Sequence, residues 1–233
     1  MMPRWLICFS ALALAAARAS TVSGLIQISS SARKPPPLTD IVVWLEATDN
    51  PAIVTAPPRH AQMLQKDKMF QPHILPIGVG TVVDFPNADP IFHNAFSNYE
   101  GQLFDVSLYP PGTSRSVTFR KPGMVRVFCN IHPTMSAIIL VLKNPYFVKV
   151  DADGSYQIPN VPPGRYELHF YDERAVSDKR EALKLVVDNA EVIAPPINIA
   201  ESSHTTVPPH KNKYGQDYPK GAGSYSSETG PPK

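Results

Sequence analysis

The 233 residues carry 22 basic and 20 acidic side chains, 26 prolines and two cysteines. A charge balance this close to neutral, with no basic patch interleaved with aromatics, argues against a nucleic-acid binder. Proline punctuation through "KPPPL", "APPR", "YPPG", "VPPG" and "APPI" argues against long helices and for short strands joined by irregular loops.

The first segment, "MMPRWLICFSALALAAARAS", has an arginine near its start, an apolar run from Trp5 to about Ala17, and an Ala17-Arg18-Ala19 cleavage pattern. The apolar run is too short for a comfortable membrane span. Residues 1–19 are expected to be a signal peptide that directs the chain to the periplasm, with the extracellular space as the other destination. Cys8 lies inside the apolar stretch and is expected to leave with it. Removal of Arg4 and Arg18 leaves 20 basic and 20 acidic residues and one cysteine, Cys129. Exported proteins usually pair their cysteines, so a single one suggests an intermolecular bond, an inert buried thiol, or a reactive or metal-bound thiolate.

After the signal, "TVSGLIQIS" and "DIVVWLEAT" read as strands. "AQMLQKDKMF" is the one stretch that suits a short helix or an irregular loop. The strand pattern is then strong through "HILPI", "GTVVDF", "FHNAFS", "LFDVSLY", "SRSVTFR", "MVRVFCN" and "SAIILVLK". "AIILVL" is apolar on both faces and is expected to lie centrally. "YFVKV" and "SYQIP" flank "DADG", a hairpin turn signal; "RYELHFYDE", "KREALKLVVD" and "EVIAPPINI" follow as later strands. From Glu201 onward there is one valine and no Ile, Leu or Phe, so residues 201–233 are expected to form a disordered tail.

The chemistry concentrates in "FCNIHPTM", Phe128 to Met135. Cys129, His132 and Met135 are a thiolate, an imidazole and a thioether at spacings of three. They fall where a strand ends in a tight loop stiffened by Pro133. Cys and Met favour copper(I), and imidazole suits either copper state. A trigonal site of two histidines and a cysteine with a weak axial methionine needs one more histidine. His93, in "NADPIFHNAFS", follows a strand and lies 36 residues before Cys129, a distance that lets intervening strands return the chain to the same end of a sandwich.

"FPNADPIFHN" followed by "KPGMVRVFCNIHPTM" resembles the cupredoxins, the blue copper proteins, over roughly residues 70–143. The short Cys-x-x-His-x-x-Met loop is similar to that of amicyanin. The wider pattern, with "FDVSLYPPG", resembles exported bacterial proteins of the methylamine-utilisation and plastocyanin-like type. The resemblance implies a Greek-key sandwich and one type 1 copper ion. It also implies His93, Cys129 and His132 as equatorial ligands, Met135 as the axial one, Asn94 as a brace of the ligand loop, and His132 near the surface as the electron port. It implies no catalytic residues and no enzymatic activity, with redox proteins of the cell envelope as partners.

Other candidates read more simply. His60, Met63, Met69 and His73 fit no metal geometry. "DADG" lacks the remaining ligands of a calcium loop. His169 alternates with apolar neighbours on a strand, and His204 and His210 belong to the tail. "VKVDADGSYQIPNVPPGRYELHFYDE" looks like part of a carboxypeptidase-regulatory or prealbumin-like sandwich. The expected chain is all-β. Residues 20–50 and 146–200 form a discontinuous prealbumin-like sandwich, residues 60–145 form a cupredoxin domain inserted in it, and a tail follows. The expected function is single-electron transport by copper. The alternatives are non-redox copper binding or trafficking, and a structural or interaction module of the envelope.

Overall fold

The computed structural model describes residues 19–30, 38–49, 59–98, 101–175, 182–188, 190–201 and 210–218. The expected signal peptide lies outside them, apart from Ala19. The described chain is all-β, with a single 3-10 turn at Leu38–Asp40 and no α-helix among the described residues. Among these residues no helix is long and apolar enough to cross a membrane.

Two strands come first, β1 (Ser20–Ser30) and β2 (Val42–Ala47). The middle of the chain supplies β3 (His60–Gln62), β4 (Leu64–Lys66), β5 (Met69–Gln71), β6 (Ile74–Gly78), β7 (Val82–Pro86), β8 (Phe96–Ser97), β9 (Phe104–Asp105), β10 (Ser114–Thr118), β11 (Gly123–Phe128) and β12 (Ser136–Leu142). The last part adds β13 (Phe147–Lys149), β14 (Ser155–Val161), β15 (Gly164–Tyr171), β16 (Leu183–Val187), β17 (Val192–Ile193) and β18 (Ile197–Glu201).

The first two strands join the last six in two sheets. β1 runs antiparallel to β14 and parallel to β17 and β18, while β2 lies between β13 and β15, with β16 outside. Alternate residues of these sheets face one apolar cluster that includes Val22, Ile26, Val43, Leu45, Tyr156, Ile158, Leu168 and Ile199. The period of two in "VVWLEA" and "RYELHFY" dictates this, because successive side chains leave opposite faces of a strand. The middle strands make a three-stranded sheet (β10-β7-β3) and a five-stranded sheet (β6-β12-β11-β8-β9). A second cluster built on Val83, Phe85, Phe119, Val125, Val127 and Ile139 fills the space between them.

β12 explains why "AIILVL" is apolar throughout. Ala137, Ile139 and Val141 enter the second cluster. Ile138, Leu140 and Leu142 face the other way and pack with Val42, Ile74 and Tyr171 in a third cluster that joins the two sandwiches. Each such Ile or Leu contributes about 1.5–3 kcal/mol on burial.

Three expectations change. "AQMLQKDKMF" is neither helix nor irregular loop: β4 and β5 form a hairpin with Leu64 opposite Gln71 and Lys66 opposite Met69. Its two turn residues, Asp67 and Lys68, have φ of 56° and 55°. Non-glycine residues seldom adopt that conformation, and here the Asp89 carboxylate accepts both turn amides, at 2.6 and 2.9 Å. "DADG" is a tight turn, but its flanking strands do not pair with each other. β13 joins the sheet of β2 and β14 that of β1, so the turn carries the chain between facing sheets. Gly154, at φ +89°, allows it, since a Cβ there would collide with the Ile26 carbonyl. Finally, residues 210–218 fall inside the expected disordered tail yet dock on the middle sandwich through Lys213 and Tyr218. Low apolar content prevents a segment from building a core of its own, but not from resting on one already built.

Candidate metal centre

The site forms at one end of the middle sandwich. His93 follows β7 in a loop clamped by a two-way backbone bridge to Tyr109. Cys129 directly follows β11; its amide donates to the Met135 carbonyl at 3.2 Å, and the Met135 amide donates to the His132 carbonyl at 3.0 Å. These two bonds curl the seven-residue loop so that its donors turn inward.

Cys129 Sγ lies 3.8 Å from His93 Nδ1 and 3.7 Å from His132 Nδ1. All three donor atoms are within 4.8 Å of one another, and the three residues are buried. A first-row ion holding nitrogen at about 2.1 Å and thiolate sulfur at about 2.3 Å in a trigonal plane separates the two donors by about 3.8 Å. The residues present therefore fit a metal ion without rearrangement of the backbone. Met135 is 1% exposed and packs in the same cluster as Cys129.

The second ring nitrogen of His93 has a defined partner. Nε2 lies 2.7 Å from Asp89 Oδ2, and a carboxylate only accepts, so Nε2 carries the proton and Nδ1 turns a lone pair toward the sulfur. Burial acts to raise the Asp89 pKa, but the Lys68 amide, His93 and the Asp67 amide outweigh it and hold this carboxyl below the usual range. Burial also keeps His93 neutral, against the pull of Asp89. His132 is pushed down to about 4, first by burial and then by His93 and Lys68. The Cys129 thiol is pushed up by burial, while the backbone amides of Ile131, Asn94 and His132 act in the opposite direction. Two neutral imidazoles and three amides around a sulfur suit a cation, which would ionise the thiol on binding.

Asn94 ties the two ligand loops together: its Oδ1 accepts the Asn130 amide at 3.3 Å, and its Nδ2 donates to Asp105 at 2.8 Å. One expectation from the sequence is not met. His132 presents no open edge to solvent; it is 1% exposed, and among the described residues its Nε2 has no hydrogen-bond partner.

His60, Met63, Met69 and His73 do not form a second centre. His60 bonds Asp84, Met63 is core, Met69 is 53% exposed, and His73 bonds Glu173 at 2.6 Å and lies 3.1 Å from the Ser136 carbonyl. The sequence reading missed Asp89 and Tyr109. Asp89 stands four residues before His93, but nothing in "NADPIFHN" marks it as a partner. Tyr109 is a buried post whose hydroxyl donates to the Phe85 carbonyl and accepts from Gln65.

No family model matches the chain. A methylamine utilization protein, MauL of Methylorubrum extorquens, is 38% identical over 56 residues, which are 24% of this chain and 49% of that protein. The chain thus aligns with about half the length of this curated relative. Among solved structures, a purple cupredoxin from Nitrosopumilus maritimus matches with 26% identity and a TM-score of 0.33, covering 35% of this chain and 99% of that one. A variant of amicyanin matches with 18% identity and a TM-score of 0.33, covering 35% of this chain and 80% of that one. The protein resembles cupredoxins and a methylamine-utilisation protein.

Proposed function

We propose that the protein is a periplasmic type 1 copper protein that carries single electrons between partner proteins of the cell envelope and catalyses no reaction of its own. The observation that supports it best is the convergence of His93 Nδ1 and His132 Nδ1 on Cys129 Sγ, at 3.8 and 3.7 Å. His93, Cys129 and His132 would hold the ion, with Met135 as the weak axial donor. A two-nitrogen, one-thiolate set with a thioether nearby favours copper over zinc or iron. Bound copper would supply a one-electron couple.

The chain's own residues do the rest. Cys129 would hold the ion as a thiolate, its proton released to solvent, and the three amides around the sulfur would stabilise that charge. Asp89 orients His93. Asn94 keeps the two loops at a fixed separation. The packed second cluster resists change in donor positions between oxidation states, which keeps reorganisation small. We further propose that residues 20–50 and 146–200 form one mounting sandwich into which the copper-binding body, residues 60–145, is inserted. The β1–β14 and β2–β15 pairings and the separate apolar clusters support that arrangement.

The burial of His132 favours a second reading, a copper-binding or trafficking protein without redox traffic, since an enclosed imidazole offers no exposed edge to a partner. Addition of copper(II) to the purified protein separates the two. An intense blue thiolate-to-copper band supports electron transport. A colourless protein that binds copper(I) tightly supports trafficking, and no binding of either ion refutes both.

A further inference from the structure

Residues 210–218 return to the ligand loops from the far end of the chain. Tyr218 Oη donates to the carbonyl of Cys129 at 2.9 Å, and the Lys213 amide donates to Asn130 Oδ1 at 2.9 Å. Lys213 Nζ pairs with Asp105 Oδ2 at 2.8 Å, and the other oxygen of the same carboxylate accepts from Asn94. The His210 ring stacks on Phe128, the residue before Cys129, with centroids 3.9 Å apart, and Tyr218 meets His210 edge-on.

The segment has a shape of its own. Asn212 is buried; its side chain accepts the Tyr214 and Gln216 amides, and its backbone pairs with Gln216. Gly215, at φ +75°, closes this turn. A segment merely resting on a surface would have the whole protein to choose from. This one contacts Phe128, Cys129, Asn130 and Asp105, which all adjoin or brace the residues that converge on the thiol.

We propose that His210–Tyr218 is a latch on the metal-binding loops. It holds Cys129-Asn130 against His93-Asn94, and its release opens the buried thiol and imidazoles to an entering ion. The identity of that ion as copper rests on the function proposed above; the latch itself does not. The Lys213–Asp105 contact is the electrostatic half of the latch, and the Tyr218–Cys129 contact is the half that reaches a donor residue.

The test uses the full-length, metal-free protein and a small neutral disulfide reagent, with modification of Cys129 followed by peptide mass spectrometry. Losing the Lys213 Nζ and Tyr218 Oη contacts together in a Lys213→Met, Tyr218→Phe variant is expected to speed labelling by about tenfold or more, the equivalent of one to two net hydrogen bonds. Lys213→Arg is expected to keep the parent rate. Copper(II) uptake should quicken in the same order. Tyr218→Phe alone removes a single hydroxyl from a half-buried ring, so it reads the latch even if the double variant folds poorly. Parent-like labelling in both variants, or an acceleration no larger than the fall in global unfolding stability predicts, overturns the latch. Faster labelling in a protein that shows no copper band would leave the latch standing and sink the electron-carrier reading.

Discussion

The two apolar clusters of this molecule are built by the same rule but tolerate polarity differently. The buried cluster between β1, β2 and the last strands consists of Val, Ile, Leu, Tyr and Ala. The cluster between the middle strands sits beside Gln65, Asn87, Asp89, His93, Asn94 and His132, all buried. Burying a polar group costs about 1–3 kcal/mol unless it is hydrogen-bonded. A protein seeking only stability would place such groups in neither sandwich. Their concentration in the sandwich that holds Cys129, with His93 bonded to Asp89 and Asn94 to Asp105 and Asn130, marks where stability yields to chemistry.

The comparison breaks most decisively at the thiol. Cys129→Ser should abolish the blue copper(II) band completely, while leaving the circular dichroism of the metal-free protein unchanged. A persistent band would move the centre elsewhere. Next comes the joint between the clusters. Ile138→Ala should cost about 2–5 kcal/mol in denaturant unfolding, because it empties a packed site shared by both sandwiches. A cost under about 1 kcal/mol would mean that the two sandwiches do not stabilise each other there.

A smaller effect is expected at the carboxylate behind His93. Asp89→Asn should weaken metal affinity by about 10–100-fold, since outer partners of ligating histidines carry about that much. Competition with a chelator measures it, and unchanged affinity would reduce Asp89 to a turn-capping role.

The smallest expected effect lies between the sandwiches, at His73 and Glu173. The hydrogen bond to Glu173 raises the His73 pKa above 6.5 despite burial. Against burial, His73 and Arg126 lower that of Glu173 below 4.5. The raised histidine contributes stability that is fully present below its unfolded pKa and is lost as pH rises through its folded one. The lowered carboxylate contributes stability above its unfolded pKa and loses it as pH falls through its folded one. The pair therefore helps most from mildly acidic to neutral pH. Because His73 is partly exposed, the gain should be about 1 kcal/mol or less. Denaturation midpoints measured from pH 6 to 9 should decline less steeply in His73→Gln than in the parent.

Much of the architecture could be read from local pattern. Alternation in "SRSVTFR" and the two-faced run "AIILVL" point to strands and to a central position, because side-chain direction follows a period of two whatever the rest of the chain does. The β4–β5 hairpin was not readable that way. Asp-Lys is a poor turn pair on its own, and the Asp89 carboxylate that makes it workable lies 21 residues beyond Lys68. The burial of His132 and the docking of residues 210–218 were likewise hidden, since composition reports what a segment can bury by itself and not what another surface offers it.

By itself, then, the sequence determined the strand periodicity, the donor types and their order along the chain, because each is a property of neighbouring residues. Only the tertiary structure decided that His93 stands within 3.8 Å of Cys129, that Asp89 backs it, and that Tyr218 reaches the Cys129 carbonyl across 89 residues. Those contacts depend on how the sheets close and on which surfaces remain for the rest of the chain, and no local period encodes either.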